Sequence, residues 1–347
     1  MLNKVMAGMF ALIGFLIGGV LTGLLTPNFE GATTSAEKAA REAAQDVASL
    51  KPSPRIETKV DFPVAPSAPD TAGDGGFARS DDQHPALWRV SDEDSVLWLF
   101  GTVHALREDL DWRFPEYEAA VSEAERFYFE SKVEDTAETR KRLRQLERLA
   151  TYKDTPLTER LSQSGSRRLL RLARRLGLDQ SSIIYTRPWQ AGLLLGQRLA
   201  VRAGMKAEHG VESVLAKRVG DRPTYYLEDG IEVLFNLAAI PEEAQLREFE
   251  TALKQIDDNP YHTADLQDAW RLGEVDRLSQ LAFGSMPVNS QSYAVMMRDR
   301  NVAWSEKLRA DLDAAGVSFV AVGAAHLIGP DSVQRLLAND GYTVERF

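Results

Sequence analysis

The chain reads as an α/β domain with a large helical insertion, carried behind an N-terminal transmembrane helix. Three features predict this class. Strand-like apolar runs stand at both ends of the C-terminal part, long helical patterns lie between them, and an uncharged apolar stretch opens the chain. Strands at the ends with helices between them fold as one α/β layer system.

Val5–Leu25 contains only apolar residues, Gly and Thr, without a charge. At about 1.5 Å per residue such a helix spans roughly 30 Å, the thickness of a bilayer core. It is longer than the usual h-region of a secretory signal and lacks an A-x-A-like site, so residues 1–30 are expected to be an uncleaved anchor. Lys4 precedes the span while Glu30 and Glu37 follow it. That polarity places the N-terminus in the cytoplasm and the folded part outside the inner membrane, toward the periplasm or cell exterior. Gly14-x-x-x-Gly18 and Gly19-x-x-x-Gly23 allow close helix approach and hence a homodimer, although Gly is also simply frequent in such spans.

Residues 31–82 are expected to be a helix followed by a spacer. Ser35–Leu50 is Ala-rich with Ser35 as a cap, and the Pro, Ala and Gly of Lys51–Asp82 show no apolar period. Residues 83–347 form the folded domain. Ala86–Val90, Ser91–Asp94 and Ser95–Phe100 read as strand, turn, strand. The second strand is apolar almost throughout, which suits a central position. Pro115–Glu125 reads as a helix, Arg126–Glu130 as a strand, and Ala137–Leu215 as largely helical. Pro223–Glu228 is a further strand, helices resume over Pro241–Leu312, and Val317–Val322 is the last strong strand.

The composition excludes several chemistries. A net charge of -10 argues against a general nucleic-acid binder. No cysteine is present, so disulfides, thiolate nucleophiles and Cys-ligated metals are absent. There is no G-x-S-x-G elbow, Walker loop or dinucleotide fingerprint.

Two segments echo each other: Leu97–His104 (LWLFGTVH) and Phe319–His326 (FVAVGAAH) both read apolar strand, Gly, two small residues, His. Glycine at a strand end permits close backbone approach, and the His then lies at the carboxyl edge, where open α/β sheets bind ligands. Pro330, in the segment Gly329–Ser332, suits a first helical turn whose free N–H groups would lie near His326. His84, His209 and His262 are expected at the surface or in turns. Glu130 ends a strand in an aromatic run, where a carboxylate needs a cation, metal or donor; a salt bridge to Lys132 is the plain alternative. Glu228 stands in an equivalent place. Two His with one or two carboxylates suit a hydrolytic divalent metal, although no local ligand motif is present. Arg300 can bind a carboxylate or stabilise developing negative charge; surface Arg–Asp pairing in Arg298–Asn301 is the alternative. The basic face of Arg167, Arg168, Arg171, Arg174 and Arg175 reads as a solvated face over a leucine stripe.

Taken together, Pro85–Trp88, Leu99–His104, Phe129-Glu130, Gly210–Glu212, Leu227-Glu228, Ala269-Trp270 with Gly273, Arg300-Asn301, and Val322–Leu327 with Gly329 resemble the TraB/GumN family, related to the Tiki-type membrane-anchored proteases. The resemblance spans residues 85–347. It implies a central mixed β-sheet flanked by helices, similar to the haem-uptake ChaN and erythromycin-esterase group. It further implies metal-dependent hydrolysis of peptides, with His104, Glu130 and His326 as ligands of a divalent ion such as Mn, Co or Zn. Arg300 would join the catalytic set, and Arg300, Asn301 and Glu228 would contact a peptide or small-molecule substrate. A noncatalytic periplasmic binding protein and a metal-free esterase are the alternatives. The chain departs from the family pattern at Gly210–Glu212, where Gly-x-Asp is expected; the extra methylene changes the reach, and no role is carried over to Glu212.

Overall fold

The structure is a computed structural model that describes residues 83–259, 261–284 and 286–347. The expected anchor (1–30) and spacer (31–82) lie outside these residues. Among the described residues no helix is long and apolar enough to cross a membrane.

The domain is built on one six-stranded sheet. Its strands are β1 (Leu87–Ser91), β2 (Ser95–Thr102), β3 (Arg126–Lys132), β4 (Thr224–Asp229), β5 (Gly316–Gly323) and β6 (Thr343–Arg346), in spatial order β4-β3-β5-β2-β1-β6. β4, β3, β5 and β2 run parallel, while β1 is antiparallel to both β2 and β6. The sheet is therefore mixed. β2 and β5 at its centre are buried along most of their length, because helices cover both faces of a parallel core. β4 forms one edge and exposes Tyr225 and Tyr226. The β1–β2 turn is closed by Asp92, whose Oδ1 accepts the Ser95 N–H at 2.9 Å and the Ser95 hydroxyl at 2.6 Å.

Between β2 and β3 lies α1 (Pro115–Glu123), started by Pro115, whose missing N–H costs nothing in a first turn. Its Tyr117 packs against Phe100 (4.9 Å between centroids) and Phe319 (5.8 Å), which join β2 and β5 in one aromatic core. The helical insertion between β3 and β4 contains α2 (Ala137–Leu149), α3 (Gln163–Arg175), α4 (Pro188–Arg202) and α5 (Val211–Val219). A second block between β4 and β5 contains α6 (Gly230–Ala239), α7 (Glu242–Asp258), α8 (His262–Arg271), α9 (Val275–Phe283) and α10 (Asp299–Leu312), and α11 (Val333–Asn339) precedes β6. On α3, Leu169, Leu172 and Ala173 are buried, and Arg168 and Arg171 reach Asp257 on α7 at 3.6 and 2.7 Å. The basic face is thus a solvated, paired face over a core stripe.

Three local readings are corrected. α6 was not expected; Asp229 caps it through the Ile231 N–H at 2.8 Å, and its Ile, Val, Leu and Phe hide a helical period inside a continuous apolar run. His262 is a buried first residue of α8, not a surface residue, because α8 lays Leu266, Ala269 and Trp270 on the core. Pro330 lies ahead of α11, whose N-cap is Ser332, so the short segment after His326 is an irregular turn and not the start of a helix.

Candidate functional site

The four parallel strands end together, and the side chains at their carboxyl edge meet. β2 and β5 are direct neighbours, with Gly101 opposite Val322 and Thr102 opposite Gly323. The two Gly-x-x-His segments therefore lie side by side, one residue out of register. Gly101 has a steric reason: a Cβ there would stand 3.0 Å from the Ala324 Cα. Its carbonyl accepts the Trp270 indole N–H at 2.7 Å, so α8 fixes the end of β2 from outside the sheet.

His104 is positioned by the start of α5. A Cβ on Gly210 would stand 2.1 Å from the His104 carbonyl oxygen, so only glycine admits the approach. The Val211 N–H then donates to the Val103 carbonyl at 3.0 Å. This docking carries Glu212 to His104, with Oε1 2.7 Å from Nδ1, while the Thr102 hydroxyl donates to the same oxygen at 2.5 Å. The carboxylate can only accept, so Nδ1 carries the proton and Nε2 presents its lone pair. That Nε2 is buried and has no hydrogen-bond partner. The role withheld from Glu212 on grounds of reach is therefore filled, because the close approach at Gly210 brings the longer side chain into contact with the imidazole.

His326 lies in a single 3-10 turn, Ala324–Leu327, directly after β5. Asn301 of α10 donates its amide to the carbonyls of Asp331 (2.7 Å) and His326 (3.4 Å). This fixes the amide so that Oδ1 faces His326 Nδ1 at 2.5 Å, and the proton again sits on Nδ1. The Trp304 ring lies 4.2 Å from the imidazole. Both histidines are thus held in the same tautomer by an oxygen acceptor, each leaving Nε2 unprotonated.

Glu130 and Glu228, near the ends of adjacent β3 and β4, share one cation. Arg300 donates Nη2 to Glu130 Oε1 at 2.5 Å and also to Glu228, to which its Nε donates at 3.0 Å. Its Nη1 donates to the Met296 carbonyl at 2.8 Å. Met296 belongs to a π-helical turn, Ala294–Arg298, immediately before α10, and such turns place functional residues out of ordinary helical register. Glu130 Oε2 accepts the Gly323 N–H at 3.0 Å, and Glu228 Oε2 accepts the Trp304 indole at 3.2 Å. Glu130 is therefore paired with Arg300 and not with Lys132, which reaches Glu134. Arg298 and Asp299 form the surface pair beside it.

These groups act on each other electrostatically. Burial disfavours a charge on His104, but Glu212 outweighs it and holds the imidazole above its ordinary pKa, with Glu130 adding to the pull. Burial and the proximity of Arg300 and His104 push His326 well below it. Burial raises Glu228 above the usual carboxylate range despite Arg300, since Glu130 competes for the same guanidinium. Three carboxylates (Glu130, Glu212, Glu228) face one guanidinium and two imidazoles. With His326 held neutral and Arg300 the permanent cation, protonation of His104 beside Glu212 is one way to balance the buried carboxylates and a bound cation is another.

The sequence-predicted residues His104, Glu130, Glu228, Arg300, Asn301 and His326 thus meet in one cluster. Glu212, Trp304, Thr102 and Trp270 complete it and were not assigned roles from the sequence. The two imidazoles, each backed by an oxygen acceptor on Nδ1 and the His104 one with an unpartnered Nε2, fit the way metal-binding imidazoles are oriented. Glu130 retains lone pairs beyond those given to Arg300 and Gly323. Among the described residues no group of three or more His, Cys, Asp or Glu side chains is already gathered as a ready metal cage.

Comparison with known proteins finds relatives over the region that carries this cluster. The model of the TraB/PrgY/gumN family matches residues 86–346, which include every residue named in the cluster. The chain is 30% identical over 191 residues to YbaP, an uncharacterized protein of Escherichia coli strain K12, covering 52% of this chain and 67% of that one. The YbaP of Shigella flexneri matches equally. No solved structure matches the chain. On the extent of the family match, the chain belongs to the TraB/PrgY/gumN family.

Proposed function

We propose that the chain is a metal-dependent hydrolase acting on peptides, anchored in the inner membrane by Val5–Leu25 with its folded domain outside. The observation that carries the chemistry is the cluster itself: two imidazoles whose Nδ1 atoms are each held by an oxygen acceptor, with the His104 Nε2 left unpartnered, beside three carboxylates and one guanidinium. His104 and His326 would hold a divalent ion (Mn, Co or Zn) through Nε2, with Glu130 as the nearest carboxylate. Such an ion supplies Lewis-acid polarisation of a carbonyl and water activated near neutral pH. The chain's own residues do the rest. Glu212 and Asn301 keep both Nδ1 atoms protonated, so that Nε2 remains a donor of electron density. Arg300 holds Glu130 in place and offers positive charge beside a developing oxyanion. Trp304 and the β5 turn exclude water on the His326 side.

A second reading, a metal-free hydrolase, draws on the His104–Glu212 pair. A buried imidazole raised by a carboxylate, with Nε2 free, is a competent general base. Calorimetric titration of the purified full-length chain with Mn, Co and Zn separates the two. One tight site per chain is expected, lost in both His104→Ala and His326→Ala, with protons released at pH 6. Absence of any tight site in a folded chain, with peptide or ester hydrolysis surviving chelation, would leave the second reading standing. Peptide binding without turnover, with or without metal, would make it a noncatalytic receptor.

A further inference from the structure

A groove of about 660 Å³ opens beside the cluster, between α6, the π-helical turn and α10. It shares Glu228, Arg300 and Trp304 with the site, so whatever occupies it touches the same residues that hold Glu130. The volume is in the range of ordinary small-ligand sites. Its surface is mainly apolar, with Asn236 and Gln291 among its neutral polar residues: Ile240 and Val295 supply surface, while Ala239, Ala294 and Ala303 supply room. The charged groups at its floor are already matched. Glu228 takes Arg300 and the Trp304 indole, and the Lys307 ammonium is held on the Leu227 carbonyl. An occupant gains little from those charged groups and much from apolar burial.

We infer that this groove is the specificity subsite of the hydrolase, taking a large apolar side chain, aromatic or branched aliphatic, on the substrate residue next to the reacting bond. The inference rests on the hydrolase reading above for the word substrate, and on the groove alone for the preference. Ala303 sets the selectivity: it is exposed on α10 and faces the groove, so enlarging it fills the space without disturbing the core. Losing burial of one large apolar group weakens binding roughly 10- to 100-fold.

The test uses the full-length chain and two fluorescein-labelled hexapeptides that differ only in Phe or Gly at one central position. Anisotropy titrations give affinity, and quenched versions of the same peptides give turnover. The wild-type chain is expected to bind the Phe peptide at least 10-fold tighter. Ala303→Phe should abolish that preference, so that both peptides bind alike, and Ala303→Ser should retain it. His104→Ala should lose turnover and keep the preference. Equal affinity of the wild type for both peptides, or an unaltered preference in Ala303→Phe, overturns the groove. A preference without turnover in the wild type overturns the hydrolase reading and leaves the groove intact. A wild-type dimer that Ala303→Phe dissociates would give the groove to a second copy of the chain and overturn the inference.

Discussion

Arg300→Met tests the central claim that one guanidinium holds two buried carboxylates together. Methionine replaces the aliphatic stem and removes the charge, so little packing is lost. Glu130 would then retain the Gly323 N–H and Glu228 the Trp304 indole, with no cation facing either. Arg300 is 8% exposed and Glu130 is 7% exposed, so water cannot replace the guanidinium at low cost. Removing one partner of a buried ion pair costs about 3–5 kcal/mol, which corresponds to a fall in Tm of roughly 6–20 °C for a domain of this size. The sign with pH follows from linkage. Burial already raises Glu228, and without Arg300 its folded pKa lies further above the unfolded one, so the folded state binds more protons between those values and loses stability as pH rises. The deficit is complete above the raised value and shrinks as the pH is lowered through it. Urea unfolding at pH 7.5 and pH 5.0, followed by circular dichroism, measures both. A variant within about 1 kcal/mol of wild type at pH 7.5, or a deficit that grows on acidification, refutes the reasoning.

Two further perturbations address His104. Gly210→Ala places a Cβ against the His104 carbonyl and is expected to cost about 1–3 kcal/mol, while shifting the His104 imidazole resonances; since Gly210 has an ordinary negative φ, an unchanged stability and spectrum would mean that the approach is not tight. Glu212→Gln removes the carboxylate that raises His104, so its pKa, read by NMR titration, should fall below the wild-type value. A raised imidazole stabilises the fold fully below its unfolded pKa and loses this as pH rises through the folded one, whereas the depressed Glu212 stabilises above its unfolded pKa. The cost of Glu212→Gln should therefore be greatest near pH 5–6 and decline toward pH 9; a cost that increases steadily to pH 9 would contradict the pairing.

Much of the frame was legible because its strands are short apolar runs bounded by polar turns. Ser95–Phe100 reads as a central strand from its lack of alternation and Val317–Val322 as a strong strand, and β2 and β5 are neighbours at the centre of the sheet, buried along most of their length. What sequence could not supply was distance. The likeness of LWLFGTVH and FVAVGAAH hinted at kinship but not at adjacency, which depends on β5 inserting between β2 and β3. Glu212 was judged on side-chain length alone, and the missing fact was how far Gly210 lets the backbone advance. Arg300 and Asp299 are neighbours in sequence with opposite fates, one in the cluster and one on the surface, because successive helical residues point about 100° apart. α6 was missed since Ile231, Val233, Leu234 and Phe235 give too little contrast for any period to show.

The place of β5 has a consequence for how the molecule comes into being. β2 pairs with a strand that begins more than 200 residues later, Ser95 opposite Gly316, and β3 pairs with that same strand. Until the last tenth of the chain is available, β2 and β3 have no common neighbour, and Glu130 lacks the Gly323 N–H. Contacts of such separation make folding slow and leave apolar strand edges open meanwhile. Yet they also tie the chemistry to completeness. A chain cut short before Gly316 has His104 and Glu130 but neither His326 nor the Gly323 N–H, so a partial product cannot assemble the cluster until β5 has taken its place between β2 and β3.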